Sequence, residues 1–377
     1  MTIRNLDALF HPRSVALIGA SNRLHSIGAV IAKNLREGGF EGPVLPVNPK
    51  HKSIAGILCY PNIASLPLVS DLAVICTPPQ TVPGIIGELG SRGTRAAIVV
   101  TAGFREGDNK AGAALQTAML EAARPHLLRI IGPNCLGVIS TPIGLDASFA
   151  PDTPKKGSVA FVAQSGAMVT TVLDWATGRG IGFSHLVSLG DMSDVDFGDM
   201  LDFLANDENT SAILLYIEAV TAARKFLSAA RAAARVKPVI AIKAGRQPAA
   251  AHAAASHTGA LAGVDGVYDA AFERAGILRA NDLDEIFDAV ETLTYWPRIA
   301  GDRLAIVTNG GGVGVLAAES AFWRRMRLSV KVENWQICRG KRSPNSTRFC
   351  RQRGHMAIRL TLSAMRMLRA MPQPLMR

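Results

Sequence analysis

"SVALIGAS" (14–21) is the stretch from which the fold can be read. An unbroken apolar run, Val15 to Ile18, meets Gly19 and two small residues. That is a strand with no face left for water, ended by a tight turn. The next stretch, "IGAVIAKNLREGGF" (27–40), spaces its apolar residues as a helix does and stops at Gly38-Gly39. The unit then recurs. "GPVLPVNP" (42–49), "DLAVICTPP" (71–79), "RAAIVVTAGF" (95–104) and "LLRIIGPN" (127–134) read as further short strands closed by Gly, Pro or Asn. Helices lie between most of them, as in "TVPGIIGELGSRG" (81–93) and "AGAALQTAMLEAARP" (111–125). Alternation of this kind predicts an α/β fold, a parallel sheet covered on both faces.

A second unit opens at Gly157. "GSVAFVAQSGAMVTTVLDWATGRG" (157–180) is strand, tight turn and helix; "FSHLVSLG" (183–190), "AILLYIEAV" (212–220) and "PVIAIKAG" (238–245) are strands, and 223–237 is a helix. "RLAIVTNGGGVGVLAAESA" (303–321) begins a third unit in the same manner. The domains expected are therefore 1–150, 151–298, the start of a third at 299–322, and a tail at 323–377. A chain of 377 residues accommodates two or three domains.

The five cysteines, at 59, 76, 135, 338 and 350, form no CxxC pair, so neither a disulfide framework nor a zinc site is expected. No apolar run is long enough to span a membrane, and the N-terminus has no signal-like apolar core; the cytoplasm is expected. The net charge of +11 suggests nucleic acid only superficially. Residues 323–377 hold 14 of the 41 Lys and Arg but one of the 30 acids, Glu333, and six of the 11 Met. The rest of the chain is slightly acidic, so no nucleic-acid partner is expected of it.

The loops after the strands carry the chemistry, because open parallel sheets bind ligands at the carboxyl ends of their strands. Gly19-Ala20-Ser21-Asn22, running on to Gly28, can hold a phosphate on backbone N–H groups at a helix start, or can be a plain tight connection. The G-x-G-x-x-G spacing is absent. The second strand ends in Asn48-Pro49-Lys50, where a dinucleotide enzyme would place an acid for the ribose; NAD is disfavoured. Lys50 and Lys52 suit an anion such as the 3′-phosphate of coenzyme A, or form a solvated basic loop. Gln164-Ser165-Gly166-Ala167 opens another helix onto any anion on its axis, and Asn309-Gly310-Gly311-Gly312 repeats the idea.

"AAAHAAASHTGALAG" (249–263) sets His257 between Ser256 and Thr258, before Gly259. An imidazole can accept a phosphoryl group and carry it covalently, if a partner fixes its tautomer. Glu218, at the end of "AILLYIE", is the candidate partner: a carboxylate there is costly unless paired. The plain alternative is a histidine capping a helix. His252, in alanine surroundings, is expected to face solvent.

Together these motifs resemble the ADP-forming acyl-CoA synthetases and, more distantly, the α subunit of succinyl-CoA synthetase. "RSVALIGAS", "PVLPVNP", "LRIIGPNCLGVI", "VAFVAQSGA", "VSLGD" and "SHTGALAG" carry the resemblance over about residues 5–320. Residues 212–246 also resemble the ligase half of bacterial ligase–lysine acetyltransferase fusions. The resemblance implies a Rossmann-like CoA-binding domain followed by a flavodoxin-like domain of succinyl-CoA-ligase type. It implies the reaction acid + CoA + ATP = acyl-CoA + ADP + phosphate, on a short-chain acyl substrate, in an oligomer. His257 matches the phosphohistidine and Glu218 its acidic partner. Gly19, Ala20, Ser21, Asn22, Lys50, Thr101, Ala102 and Gly103 match CoA-contacting positions, Asn134 lies in the family's "GPN" turn, and Ser165 and Gly166 match the phosphate-binding helix start. ATP/ADP and Mg2+ belong to an ATP-grasp module, a domain or separate β subunit, with no counterpart in this sequence, and no metal ligands are expected in the chain. The alternative function is a non-catalytic CoA- or acyl-CoA-sensing region that regulates an acetyltransferase.

The tail is expected to be the out-of-frame continuation of a family gene, without native fold. With the last base of each codon joined to the first two of the next, Phe349-Cys350 requires a leucine codon, Met356-Ala357 a glycine codon and Trp335-Gln336 an alanine codon. The alternative is a genuine basic tail for nucleic acid or an acidic surface.

Overall fold

In the computed structural model the described residues are 3–104, 110–246, 264–295, 303–308, 311–312, 314–316 and 327–332. The chain divides into two units, residues 1–281 and 282–377.

The first unit holds two large sheets, one all parallel and one mixed. The helix α1 (Asp7–Phe10) leads into β1 (Val15–Ile18), α2 (Ile27–Glu37) and β2 (Val44–Val47). A small hairpin, β3 (Ser53–Ile54) and β4 (Ile57–Leu58), precedes β5 (Leu72–Ile75), α3 (Val82–Arg92), β6 (Ala96–Val99), α4 (Lys110–Ala123) and β7 (Arg129–Ile131). The five-stranded sheet runs β2-β1-β5-β6-β7, all parallel. The apolar run of β1 is explained by the pleat. Val15 and Leu17 belong to the core on one face, Ala16 and Ile18 to the core on the other.

The chain then enters the second sheet. A hairpin, β8 (Gly137–Ser140) and β9 (Leu145–Ser148), is followed by β10 (Lys155–Ala163), α5 (Gly166–Thr177), β11 (Gly182–Ser188) and α6 (Phe197–Asn206). Next come β12 (Ala212–Ile217), α7 (Ala223–Val236), β13 (Val239–Lys243), α8 (Asp265–Ala275) and β14 (Leu278–Ala280). The order is β14-β13-β12-β10-β11-β8-β9, with β8 and β9 antiparallel and the rest parallel. The second sheet thus begins before residue 150. Numbered along the chain, the parallel strands of both sheets follow 2-1-3-4-5, the flavodoxin-like order. Its consequence is a switch point between the first and third strands of each sheet, β1/β5 and β10/β12, where a crevice opens.

The two sheets share one core cluster, which runs from Leu17 and Ile98 through Val138 to Val162 and Phe272. Helix α2 spans the join. Its buried Asn34 donates to the carbonyls of Ser148 and Ala150, both at 2.9 Å. Phe10 of α1 stacks on Phe203 of α6, ring centroids 4.4 Å apart.

The second unit contains α9 (Leu283–Tyr295), whose first turn is capped by Asp282 accepting from the Glu285 N–H at 2.9 Å. It also contains β15 (Arg303–Thr308) paired in parallel with β16 (Arg327–Val332), Arg303 opposite Arg327. A strand therefore forms at 327–332, within the segment expected to lack native structure. The remainder of 333–377 lies outside the described residues.

Candidate functional site

At the first switch point the chain leaves β1 through Gly19 at φ +89°, a conformation that suits glycine. A Cβ on Gly28 would lie 2.3 Å from the Gly19 carbonyl oxygen. The start of α2 is thus pressed onto the turn, with its first N–H groups beside the loop. Asn48 braces the loop: its Nδ2 donates to Ala20 O at 2.7 Å and its Oδ1 accepts from the Lys50 N–H at 2.9 Å. Asn22 Nδ2 donates to Ser53 O at 2.9 Å, and Asn22 Oδ1 accepts from the Ala55 N–H at 3.2 Å. Ser21 Oγ accepts from the Arg23 N–H at 3.0 Å. Lys50 and Asn22 are exposed on the same rim. The residues fit an anionic ligand with a phosphorylated end: a close glycine turn, a helix start and a lysine reached through one bridging amide. Cys76 Sγ donates to Ile18 O and Gly19 O at 3.2 and 3.3 Å, and burial pushes its thiol up to about 12. It is a protonated brace for the turn.

The neighbouring loops close the rim. Thr101 Oγ1 donates to Thr77 O at 2.8 Å, and Gly103, at φ +99°, abuts Pro79, which a Cβ would meet at 3.1 Å. Ala102 is exposed between them.

At the second switch point Ser165 caps α5, its Oγ accepting from the Met168 N–H at 3.4 Å, and Gly166 opens the helix. Gln164 reaches across to the end of β12: its Oε1 accepts from the N–H groups of Glu218 and Ala219, both at 2.7 Å. Glu218, Ser165 and Gly166 therefore lie at one crevice, as their positions at strand ends require. Tyr268 of α8 accepts from the Val220 N–H at 3.3 Å, and Lys243, ending β13, stands over the Tyr268 ring at 4.8 Å.

A chain of hydrogen bonds joins the two crevices. The Asn134 N–H donates to Thr101 O at 2.9 Å, and its Nδ2 donates to Asp191 Oδ1 at 3.4 Å. The Asp191 N–H donates to Pro133 O at 3.0 Å, and the Gly190 N–H to Gln164 O at 3.1 Å. The turn holding Asn134, in the left-handed region at φ +55° beside a cis Gly132-Pro133 bond, thus ties the first sheet's loops to the second's. His257 lies outside the described residues, as does His252. The segment 247–263 that carries His257 leaves from Arg246, three residues past Lys243, and returns at Val264. Asn309 and Gly310 of the third glycine loop are also outside them.

Two residues of this constellation escape the sequence reading. Asn48 figures there only as the wrong residue for a dinucleotide, whereas it is the brace of the loop. Lys243 ends an apolar strand just as Glu218 does, and the rule that selects Glu218 also selects it.

The CoA binding domain family matches residues 13–141, and the succinyl-CoA ligase like flavodoxin domain family matches residues 156–293. The α subunit of an ADP-forming acetate–CoA ligase I from Pyrococcus furiosus is 41% identical over 337 residues, covering 88% of this chain and 73% of that subunit. The chain belongs to the ADP-forming acetate–CoA ligase family. An ADP-forming acetate–CoA ligase I from Archaeoglobus fulgidus is 44% identical over 316 residues, but this chain spans only 45% of its length. A dinucleotide-forming acetyl-coenzyme A synthetase 1 from Ca. Korarchaeum cryptofilum, solved with phosphate and ADP, superposes with TM-score 0.80 at 38% identity. The match covers 86% of this chain and 70% of that one.

This ligase-family chain is thus a Rossmann-like CoA-binding domain followed by a succinyl-CoA-ligase flavodoxin-like domain, the part that corresponds to an α subunit. Among the described residues no helix is long and apolar enough to cross a membrane, and no cluster of His, Cys, Asp and Glu could hold a metal ion.

Proposed function

We propose that this chain is the CoA-binding and phosphohistidine-carrying part of an ADP-forming acyl-CoA synthetase. The observation that supports it most is the hydrogen-bonded path Thr101–Asn134–Asp191 and Gly190–Gln164–Glu218, which ties a CoA-type loop to a phosphate-type helix start. In the direction of ATP formation, phosphate held at Ser165 and Gly166 attacks the thioester carbonyl. The C–S bond breaks, CoA leaves as the thiol, and an acyl phosphate remains. His257 attacks its phosphorus, the acid departs as carboxylate, and the phosphoryl group rests on the ring. Glu218 accepts the hydrogen bond of the other ring nitrogen and so fixes the tautomer. The phosphoryl group then passes to ADP, which with Mg2+ would be held by an ATP-grasp domain or β subunit. Naming of the Pyrococcus furiosus relative as a subunit alpha supports such a partner. Gly19, Ala20, Ser21, Asn22, Lys50, Thr101, Ala102, Gly103 and Asn134 line the CoA site.

The test is incubation with γ-labelled ATP and a β-type ATP-grasp partner. Acid-labile, base-stable label is expected on the wild type and none on His257→Ala. Label that survives the substitution removes His257 as the carrier. CoA binding with no label on the wild type would leave the sensing function instead.

Lys50 is expected to read the 3′-phosphate. Lys50→Ala should weaken CoA more than dephospho-CoA, with a difference that shrinks as salt rises, because an exposed charge is screened. Calorimetric titration of both ligands checks this, and equal losses would exclude the role.

A further inference from the structure

Lys243 is a buried cation in a place where a cation has structural reasons not to be. It ends the strand Val239–Lys243, whose other residues are all apolar, and is only 5% exposed. An ammonium removed from water needs compensation. Among the described residues no carboxylate comes within ion-pair distance of its Nζ. The nitrogen donates to the carbonyl of its own neighbour Ala244 and sits over the Tyr268 ring. Asp265, the acid of α8 that acts on it, is already engaged by Arg246 at 3.6 Å and by Arg279. Burial pulls the Lys243 pKa below the usual lysine range; Arg279 adds to that, while Asp265 and Glu218 oppose it. The groups acting on it are therefore Glu218 just past β12, Asp265 and Tyr268 from α8, and Arg279 from β14.

We propose that Lys243 is a positioning residue for phosphoryl transfer: its ammonium, at the root of the segment carrying His257, keeps Glu218 ionised as the histidine's partner and offsets the charge that arrives with the phosphoryl group. The inference rests on the phosphohistidine function proposed above. The placement is what recommends it. Lys243 and Glu218 end adjacent strands, since Ile217 pairs with Lys243 in the sheet. Gln164 and Tyr268 hold the backbone between Glu218 and Val220. On that function, a phosphoryl group carried by His257 adds about two negative charges beside its partner Glu218. A preorganised cation in a water-poor site opposes that repulsion without reorganising.

The probe is labelled acetyl phosphate, an acyl phosphate that needs no nucleotide module, applied to the full chain and its variants across pH. Wild type is expected to take up label at neutral pH and to lose this ability at alkaline pH as Lys243 deprotonates. Lys243→Arg, which stays charged, should retain labelling into the alkaline range. Lys243→Met, close in volume, should label at least roughly tenfold more slowly, short of the 10²–10³ that follows loss of a direct oxyanion donor. Its CoA affinity should stay within about twofold of wild type, because the CoA loop belongs to the other sheet. Wild-type labelling rates in Lys243→Met, or identical pH profiles for wild type and Lys243→Arg, overturn the role of Lys243. Label on His257→Ala, or none on wild type, overturns the phosphohistidine function itself.

Discussion

Replacing Asp199 by alanine is expected to destabilise the protein by about 3–5 kcal/mol, the scale of breaking a buried ion pair from one side. Asp199 is fully buried at the start of α6. Its Oδ2 meets Arg129 Nη2 at 3.2 Å and Lys225 Nζ at 2.8 Å, and it accepts from the Asp196 N–H at 3.1 Å. Arg129 opens β7, the edge strand of the first sheet, while α6 and α7 cover the second. One carboxylate therefore answers cations from both domains. Burial works to lower the Arg129 pKa, but Asp194 and Asp199 outweigh it and raise it. The same balance, with Asp199 and Asp196 as partners, raises that of Lys225. Truncation would leave both cations largely out of water with one neighbour fewer. Asp194, at 2.9 Å from Arg129 Nε, and Asp196, at 2.9 Å from Lys225, limit the loss. The measurement is the denaturant midpoint at constant m. Against a total of about 5–15 kcal/mol, the shift should be large. A loss under about 1 kcal/mol would mean that the remaining acids already satisfy both cations.

This ion-pair junction is invisible in the sequence. Arg129 and Asp199 are 70 residues apart and sit in unremarkable charged contexts. What the sequence does reveal are the strands, because a parallel strand buried on both faces must be a continuous apolar run. "VALI", "LAVI" and "AAIV", each closed by turn residues, read as such strands and form them. The candidate ligand loops follow from the same logic, since they begin where those runs end. The hairpin β8–β9 is missed for the converse reason. "GVIS" and "LDAS" are four residues each, too short to show a period, and they join a sheet whose remaining strands come later in the chain. His257 is a candidate by chemistry, as an imidazole between hydroxyls, and lies outside the described residues. Lys243 becomes interesting only when the sheet register sets it beside the end of β12.

Gly28→Ala is expected to raise the Kd for CoA roughly tenfold or more, about 1.4 kcal/mol, and to cost about 1–3 kcal/mol in stability. In a dinucleotide fingerprint the last glycine permits close helix–strand packing. Here Gly28 has that role although it stands nine residues after Gly19, which is why the motif spacing fails while the geometry persists. The added methyl would lie 2.3 Å from Gly19 O, 3.2 Å from Gly19 C and 3.3 Å from Cys76 Sγ. Two of these atoms are backbone, so no rotamer change relieves the overlap. The turn cannot yield easily either: Gly19 is at φ +89°, and a Cβ there would meet the Cys76 carbonyl oxygen at 3.0 Å. Helix α2 must therefore withdraw, carrying its first N–H groups away from the ligand loop and straining the Asn34 bonds at its far end. Gly84→Ala is the control. Gly84 lies in α3 with nothing within 4 Å of its Cβ position, so alanine there should stabilise by about 0.5–1 kcal/mol and leave CoA binding unchanged. Calorimetric titration and thermal unfolding of both variants decide the matter. If Gly28→Ala binds CoA as tightly as Gly84→Ala does, the close packing of α2 on the glycine turn is not what forms the CoA site.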